Sequence, residues 1–159
     1  MTTYNLALVL DENAEKEIMD FAKIVNNKLN TEFVFDKNAK PHISIVKFKS
    51  DRSLEKIRII KNKFKEIKIE FAGLTLLPSN NGGTWVEISV LSCKKIKEMV
   101  KELAILLKNE NIINSLGDRF RPHLTISKLK NQENINILKL DYNILRKKIN
   151  AHLDIIVYS

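Results

Sequence analysis

The 159-residue sequence contains little of what several common classes of protein depend on. It has a single cysteine, Cys93, so it forms no internal disulfide and no cysteine cluster that binds a metal. Its four glycines form no Gly-rich loop that could cradle a phosphate. Carboxylates are not clustered at metal-ligand spacing, and no serine lies in a recognisable nucleophile elbow. These absences argue against a P-loop nucleotide site, a metal centre and a Ser-His-Asp hydrolase.

Long apolar runs are also absent. No run approaches the roughly 20 residues that a transmembrane helix needs, and Met1–Tyr4 lacks the charged start and long apolar region of a signal peptide. We therefore expect a cytoplasmic, monomeric protein without a membrane partner. The length and an apolar fraction of 44% fit one domain over residues 1–159 with a sizeable core.

Basic residues are in excess. The sequence has 27 Lys and Arg against 19 Asp and Glu, a formal net charge of +8. Such a charge suits an anionic partner, either a nucleotide or RNA. However, the sequence is rich in Lys, Asn and Ile throughout, a bias that an AT-rich genome would produce without selection for binding. The charge alone therefore does not identify the partner.

Two segments share one pattern of residue types. The sequence Pro-His-Ile-Ser-Ile contains His42 and Ser44, and Pro-His-Leu-Thr-Ile contains His123 and Thr125. If each segment is a β-strand, side chains alternate between its faces, so histidine and hydroxyl share one face and the aliphatic residues share the other. The apolar face can pack on a core. The opposite face then presents an imidazole beside a hydrogen-bond donor.

Two such imidazoles can supply a general base and a general acid near neutral pH. The hydroxyls can donate hydrogen bonds to an oxyanion, so the set suits in-line displacement at a phosphorus ester. Lys47 and Lys128 each follow a histidine by five residues. Regular alternation places these lysines on the opposite face, and they reach the site only if the strand ends or contains a bulge.

The two motifs belong to an internal repeat. A constant shift of 81 residues superposes residues 3–77 on residues 84–158, each half having the order strand, helix, histidine strand, helix, strand. On this shift Tyr4 is equivalent to Trp85. The sequence therefore predicts an α+β fold with two pseudo-symmetric lobes of mainly antiparallel sheet, outer helices and a central cleft.

Apolar periodicity locates the helices. Asp11 is typical of a helix N-cap. Helices are predicted over residues 12–29, 54–67, 94–108 and 135–147, and loops over residues 30–40 and 109–121.

The duplicated motifs resemble those of the 2H phosphoesterases, which include bacterial 2′-5′ RNA ligase-like proteins and cyclic phosphodiesterases. The likeness covers the whole chain, with Ser44 where threonine is commoner and Phe48 one residue later than the usual aromatic residue. It implies metal-independent cleavage of 2′,3′-cyclic phosphates or 2′-5′ linkages in RNA or oligonucleotides, without a cofactor. It also implies that His42 and His123 are catalytic and that Ser44 and Thr125 donate to the phosphate.

Further substrate contacts are predicted beside the motifs. Trp85 falls on the cleft face of its strand and can stack on a nucleobase, as can Tyr4, although either can equally be a partly buried residue at a strand end. Arg119 and Arg121 are candidate phosphate contacts, or charged surface residues. His152 has no hydroxyl two residues later, so we interpret it as structural.

Two other functions remain open. One is an enzyme that degrades cyclic or 2′-5′-linked oligonucleotides used as immune signals, which requires the same chemistry. The other is a nucleotide-binding module without turnover. Both histidine motifs are intact, which argues against a pure binder because binding alone does not need an acid and a base.

Overall fold

The computed structural model describes residues 1–29, 31–33, 35–36, 39–51, 55–114, 120–130 and 143–158, and for residues 32 and 33 it describes the backbone only. Within these ranges lie eight β-strands, three α-helices and one 3₁₀ helix. In chain order they are β1 (Thr2–Leu10), α1 (Glu12–Lys28), β2 (Thr31–Phe33), β3 (His42–Ser50), α2 (Glu55–Lys63), β4 (Ile67–Pro78), β5 (Thr84–Val90), α3 (Lys94–Leu106), β6 (Asn111–Ile112), β7 (His123–Leu129), the 3₁₀ helix (Asn143–Arg146) and β8 (Lys148–Tyr158).

These strands form one sheet in the order β2-β7-β5-β4-β8-β1-β3-β6, and neighbouring strands are antiparallel throughout. At its centre, Ile67–Glu70 of β4 pairs with Lys148–Ala151 of β8. Beyond this short contact β4 pairs with β5 and β8 pairs with β1, so the sheet divides into two lobes. The predicted α+β fold with two antiparallel lobes is confirmed.

The helices cover one face of the sheet. Ile43 of β3 and Leu124 of β7, the aliphatic neighbours of the two motif histidines, are fully buried in one core with Ile18 of α1 and Met99 of α3. Because side chains alternate along a strand, the motif histidines lie on the opposite face. The predicted arrangement of outer helices and a separate polar face is therefore present.

The helix boundaries follow local chemistry. Asp11 caps α1, its carboxylate accepting a hydrogen bond of 2.8 Å from the backbone N–H of Ala14. Helix α2 ends at Lys63, a full turn before the predicted boundary. Most of the helix predicted over residues 135–147 falls outside the described residues, and the part that is described is the 3₁₀ helix Asn143–Arg146.

Two short edge strands lie where the sequence predicted loops. β2 pairs with β7 through Thr31 and Leu129, and β6 pairs with β3 through Ile112 and Phe48. Each edge strand follows the helix of one half and joins the lobe that carries the histidine strand of the other half. The halves are therefore interlocked at both edges of the sheet.

Each histidine strand contains a β-bulge. In β3 the pairing with β1 skips Ile45, so Ile45 and Val46 are both buried and the alternation then resumes with the opposite phase. In β7 the skipped residue is Ile126. The bulges return Lys47 and Lys128 to the face that carries the histidines, which regular alternation did not predict.

The equivalence between the halves is one residue different from the predicted shift. Ala7 of β1 pairs with Ser44, and Glu87 of β5 pairs with Thr125. Glu87 is 80 residues after Ala7, whereas Thr125 is 81 residues after Ser44. The constant shift of 81 is therefore wrong for the first strand of each half.

This difference corrects the prediction for Tyr4. A slip of one residue moves a side chain to the other face of a strand, so the structural equivalent of Trp85 is Asn5 and not Tyr4. Tyr4 packs against the core, its ring stacked on Phe48 at 5.5 Å between centroids. The aromatic ring of Tyr4 therefore does not face the cleft.

Candidate active site

A cleft of about 750 Å³ opens on the polar face of the sheet, within the range of roughly 300–1,000 Å³ that ligand sites occupy. Both lobes contribute to it. It is lined by Phe35, Ala39, Lys40, His42, Ser44, Lys47, Leu77, Trp85, Glu87, Asn114, Phe120, Arg121, His123 and Thr125. The structure thus brings together six of the predicted site residues: both histidines, both hydroxyl residues, Trp85 and Arg121. Tyr4 and Lys128 do not line it.

The two histidines are held in the same way. The Nδ1 atom of His42 lies 2.8 Å from the carbonyl oxygen of Lys40, and that of His123 lies 2.8 Å from the carbonyl oxygen of Arg121. A carbonyl oxygen only accepts hydrogen bonds, so Nδ1 carries a proton in both rings. Each accepting residue precedes the proline of its motif, where the proline favours an extended backbone. The Nε2 atoms are left to gain and lose protons.

The surroundings of His42 favour its neutral form. Burial lowers the pKa of His42, and the positive charge of Lys47 lowers it further, although the hydrogen bond to the carbonyl of Lys40 acts in the opposite direction. The pKa is therefore below the ordinary value of 6.5. At neutral pH Nε2 of His42 is a proton acceptor.

The surroundings of His123 contain a negative charge instead. The carboxylate of Glu87 is buried, with 3% of the side chain exposed, and its Oε1 atom lies 3.4 Å from Nε2 of His123. Its other oxygen, Oε2, is bound by Nη2 of Arg121. The contact with His123 is an ion pair when the imidazole is protonated. The sequence had placed Glu87 on the cleft face of β5 but assigned it no role.

Ser44 is fixed from behind by a buried amide. Nδ2 of Asn5 lies 2.9 Å from Oγ of Ser44 and 3.4 Å from the hydroxyl of Tyr158, and Asn5 is fully buried. Because the amide donates to Oγ, the proton of Ser44 is available to a ligand. Thr125 occupies the equivalent position in the second lobe, across the strand pair from Glu87.

The two lysines brought onto this face lie over aromatic rings. Nζ of Lys128 is 4.9 Å from the centre of the Trp85 ring, and Nζ of Lys47 is 5.2 Å from that of Tyr158. Lys47 also lines the cleft, whereas Lys128 contacts it only through Trp85. The backbone N–H of Lys47 donates to Oδ1 of Asn114 at 2.6 Å, which attaches the segment after β6 to this wall.

Two further predicted positions are separate from the cleft. Arg119 lies outside the described residues. His152 does not line the cleft; its side chain is 42% exposed and lies 3.9 Å from Asp154. It pairs with Val9, so its equivalent in the other half is Gly73 rather than the predicted Phe71.

No metal-binding group of three or more His, Cys, Asp or Glu side chains occurs among the residues that the structure describes. Within the same residues, no helix has both the length and the apolar character needed to cross a membrane.

The fold is similar to that of Usb1 from Kluyveromyces marxianus, with a TM-score of 0.55 and 12% sequence identity over 98% of this chain and 96% of that chain. A second structure of Usb1 from the same organism, with uridine monophosphate, gives a TM-score of 0.49 and 12% identity over 91% of this chain and 77% of that one. No protein-family model matches the chain. No curated protein matches its sequence. The similarity to the first structure shows the fold.

Proposed function

We propose that this protein is a metal-independent phosphodiesterase that cleaves 2′,3′-cyclic phosphates or 2′-5′ linkages in RNA or oligonucleotides. The observation that carries the proposal is the matched pair His42 and His123. Both line one cleft, and in both the Nδ1 proton is bound by a backbone carbonyl, which leaves Nε2 for proton transfer. A pair of imidazoles on one phosphorus ester can supply a base and an acid without a metal.

The two lobes give the histidines different roles. His42 is the base, because burial and Lys47 favour its neutral form. His123 is the acid, because Nε2 lies next to the carboxylate of Glu87. In hydrolysis, Nε2 of His42 takes a proton from the attacking water as the new P–O bond forms. The bond to the leaving oxygen then breaks, and that oxygen takes the proton from Nε2 of His123.

The remaining polar groups of the cleft suit a phosphate. Ser44 and Thr125 follow the two histidines on the same face and can donate to the non-bridging oxygens. Lys40, Lys47 and Arg121 add positive charge to the same cleft. Charge that develops on phosphate oxygens in the transition state is stabilised most by donors already in position.

Trp85 is the proposed contact for a nucleobase. It lies at the wall formed by β4 and β5, opposite Leu77 in the strand pair, and both residues line the cleft. Stacking on an aromatic ring accepts any base, since every base has a π-face. We therefore expect limited base specificity at this position.

The test is a hydrolysis assay in the presence of EDTA. The substrates are a 2′,3′-cyclic nucleotide, a 2′-5′ oligoadenylate and a cyclic oligonucleotide, each assayed with the wild type and with His42→Ala. Turnover of any one by the wild type, and its loss in the variant, supports the proposal, and the preferred substrate distinguishes RNA processing from removal of a signalling oligonucleotide. Binding without turnover would identify a nucleotide-binding module instead.

A further inference from the structure

Glu87 is a buried carboxylate with two cationic neighbours. One oxygen is bound by the guanidinium of Arg121, and the other is 3.4 Å from Nε2 of His123. A charge removed from water is costly unless it is paired, and here the pairing places the carboxylate against a reacting nitrogen. The other charged or titratable groups that line the cleft are Lys40, His42 and Lys47.

The first lobe has no counterpart to this carboxylate. The residue equivalent to Glu87 is Ala7, and the residue equivalent to Ser89, which pairs with His123, is Val9, which pairs with His42. The two histidines therefore have the same motif and the same Nδ1 hydrogen bond, but different walls. One wall is apolar and the other carries a negative charge.

We propose that Glu87 is a positioning residue that keeps His123 in the role of proton donor and so fixes the direction of the reaction across the cleft. This inference rests on the proposed function. The separation of 3.4 Å exceeds the 2.7–2.9 Å usual for a charged N–H···O hydrogen bond. The carboxylate thus stabilises the proton on Nε2 without holding it in a short bond, and the N–H can turn to the leaving oxygen. The pair with Arg121 holds the carboxylate in place.

A role in proton donation has a kinetic signature that a purely structural role lacks. A leaving group that departs as a stable anion does not need a proton, whereas a ribose alkoxide does. The experiment compares the wild type, Glu87→Gln and His123→Ala on a 2′,3′-cyclic nucleotide and on a p-nitrophenyl phosphodiester of a nucleoside. Glu17→Gln is the matched control, because Glu17 is paired with Lys147 at 2.9 Å and does not line the cleft.

For Glu87→Gln we expect a fall in kcat of more than about 10-fold on the cyclic nucleotide, part of the roughly 10²–10⁴ that a general acid contributes. On the nitrophenyl ester we expect a change within about 3-fold, because no proton is needed there. His123→Ala should show the same selectivity with a larger loss, and Glu17→Gln should match the wild type on both esters.

Equal losses of Glu87→Gln on both esters, or no loss, would overturn the positioning role while leaving the proposed function intact. A wild type inactive on both esters would overturn the proposed function and the inference with it. If Glu87→Gln fails to fold by circular dichroism, Glu87→Asp replaces it. That variant keeps a charge for Arg121 but withdraws it from His123, and the inference requires a smaller loss that is still confined to the cyclic nucleotide.

Discussion

Ala7 and Glu87 occupy equivalent positions in the two lobes, each directly across a strand pair from the hydroxyl residue of its histidine motif. A methyl group therefore lies beside Ser44 where a carboxylate lies beside Thr125. The backbone repeats almost unchanged, but the charge around the two histidines does not. A pseudo-symmetric site that must give one proton and take another needs such a difference.

The pH dependence of His42 can be altered through Lys47. The base must be neutral, so the rate falls when the pH drops through the pKa of His42. Burial is the larger cause of the lowered pKa and remains in a Lys47→Gln variant, whereas the repulsion from the lysine is lost. The pKa should therefore rise, and the acid limb of kcat/KM against pH should move to higher pH.

Lys128→Gln is the control for that measurement. It removes the same charge from the equivalent position of the other lobe, where the lysine lies over Trp85 and does not line the cleft. We expect its acid limb to coincide with that of the wild type. An acid limb that stays in place or moves to lower pH in Lys47→Gln would show that His42 is not the base titrating there.

The hydroxyls of Ser44 and Thr125 should act on turnover more than on binding. Each should donate most strongly to charge that develops in the transition state, so Ser44→Ala and Thr125→Ala should lower kcat by up to about 10²–10³, or roughly 2.7–4 kcal/mol. KM should change little. Ser44→Thr is the matched control, because threonine is the residue at the equivalent position, and it should retain most of the activity. A raised KM with unchanged kcat would make these hydroxyls ground-state contacts.

Trp85 should act on binding. Loss of one base-stacking contact costs about 1–3 kcal/mol, so Trp85→Ala should raise KM by about 5- to 150-fold, and Trp85→Phe should recover much of that loss. Tyr4→Leu tests the corrected assignment, since Tyr4 is stacked on Phe48 in the core and should affect stability without changing KM. Equal effects of the Trp85 and Tyr4 variants on KM would contradict the assignment of the base site to β5.

The histidine motifs were predictable because their pattern is local. Alternation of apolar and polar residues over five positions sets the faces of β3 and β7, so the side of the sheet that carries His42 and His123 follows from sequence alone. The repeat then predicted two lobes. Both signals depend on residues close together in the chain.

What could not be predicted depends on pairing between distant strands. The bulges at Ile45 and Ile126 arise from the register with β1 and β5, and neither residue differs in type from an ordinary strand residue. The same register moved Tyr4 to the core. The role of Glu87 follows from contacts with residues more than 30 positions away, Arg121 being 34 residues along the chain.

The measurement that tests the central assignment most directly is the kinetics of His42→Ala, His123→Ala, the double variant and His152→Ala on the best cyclic or 2′-5′-linked substrate. We expect each single cleft variant to lose about 10²–10⁴ in kcat/KM. The double variant should lose less than the product of the two, because the residues act as a unit. His152→Ala should remain within about 3-fold of the wild type, because its loss removes neither proton transfer. A folded His42→Ala with the wild-type rate, or a collapse of activity in folded His152→Ala, would contradict the account.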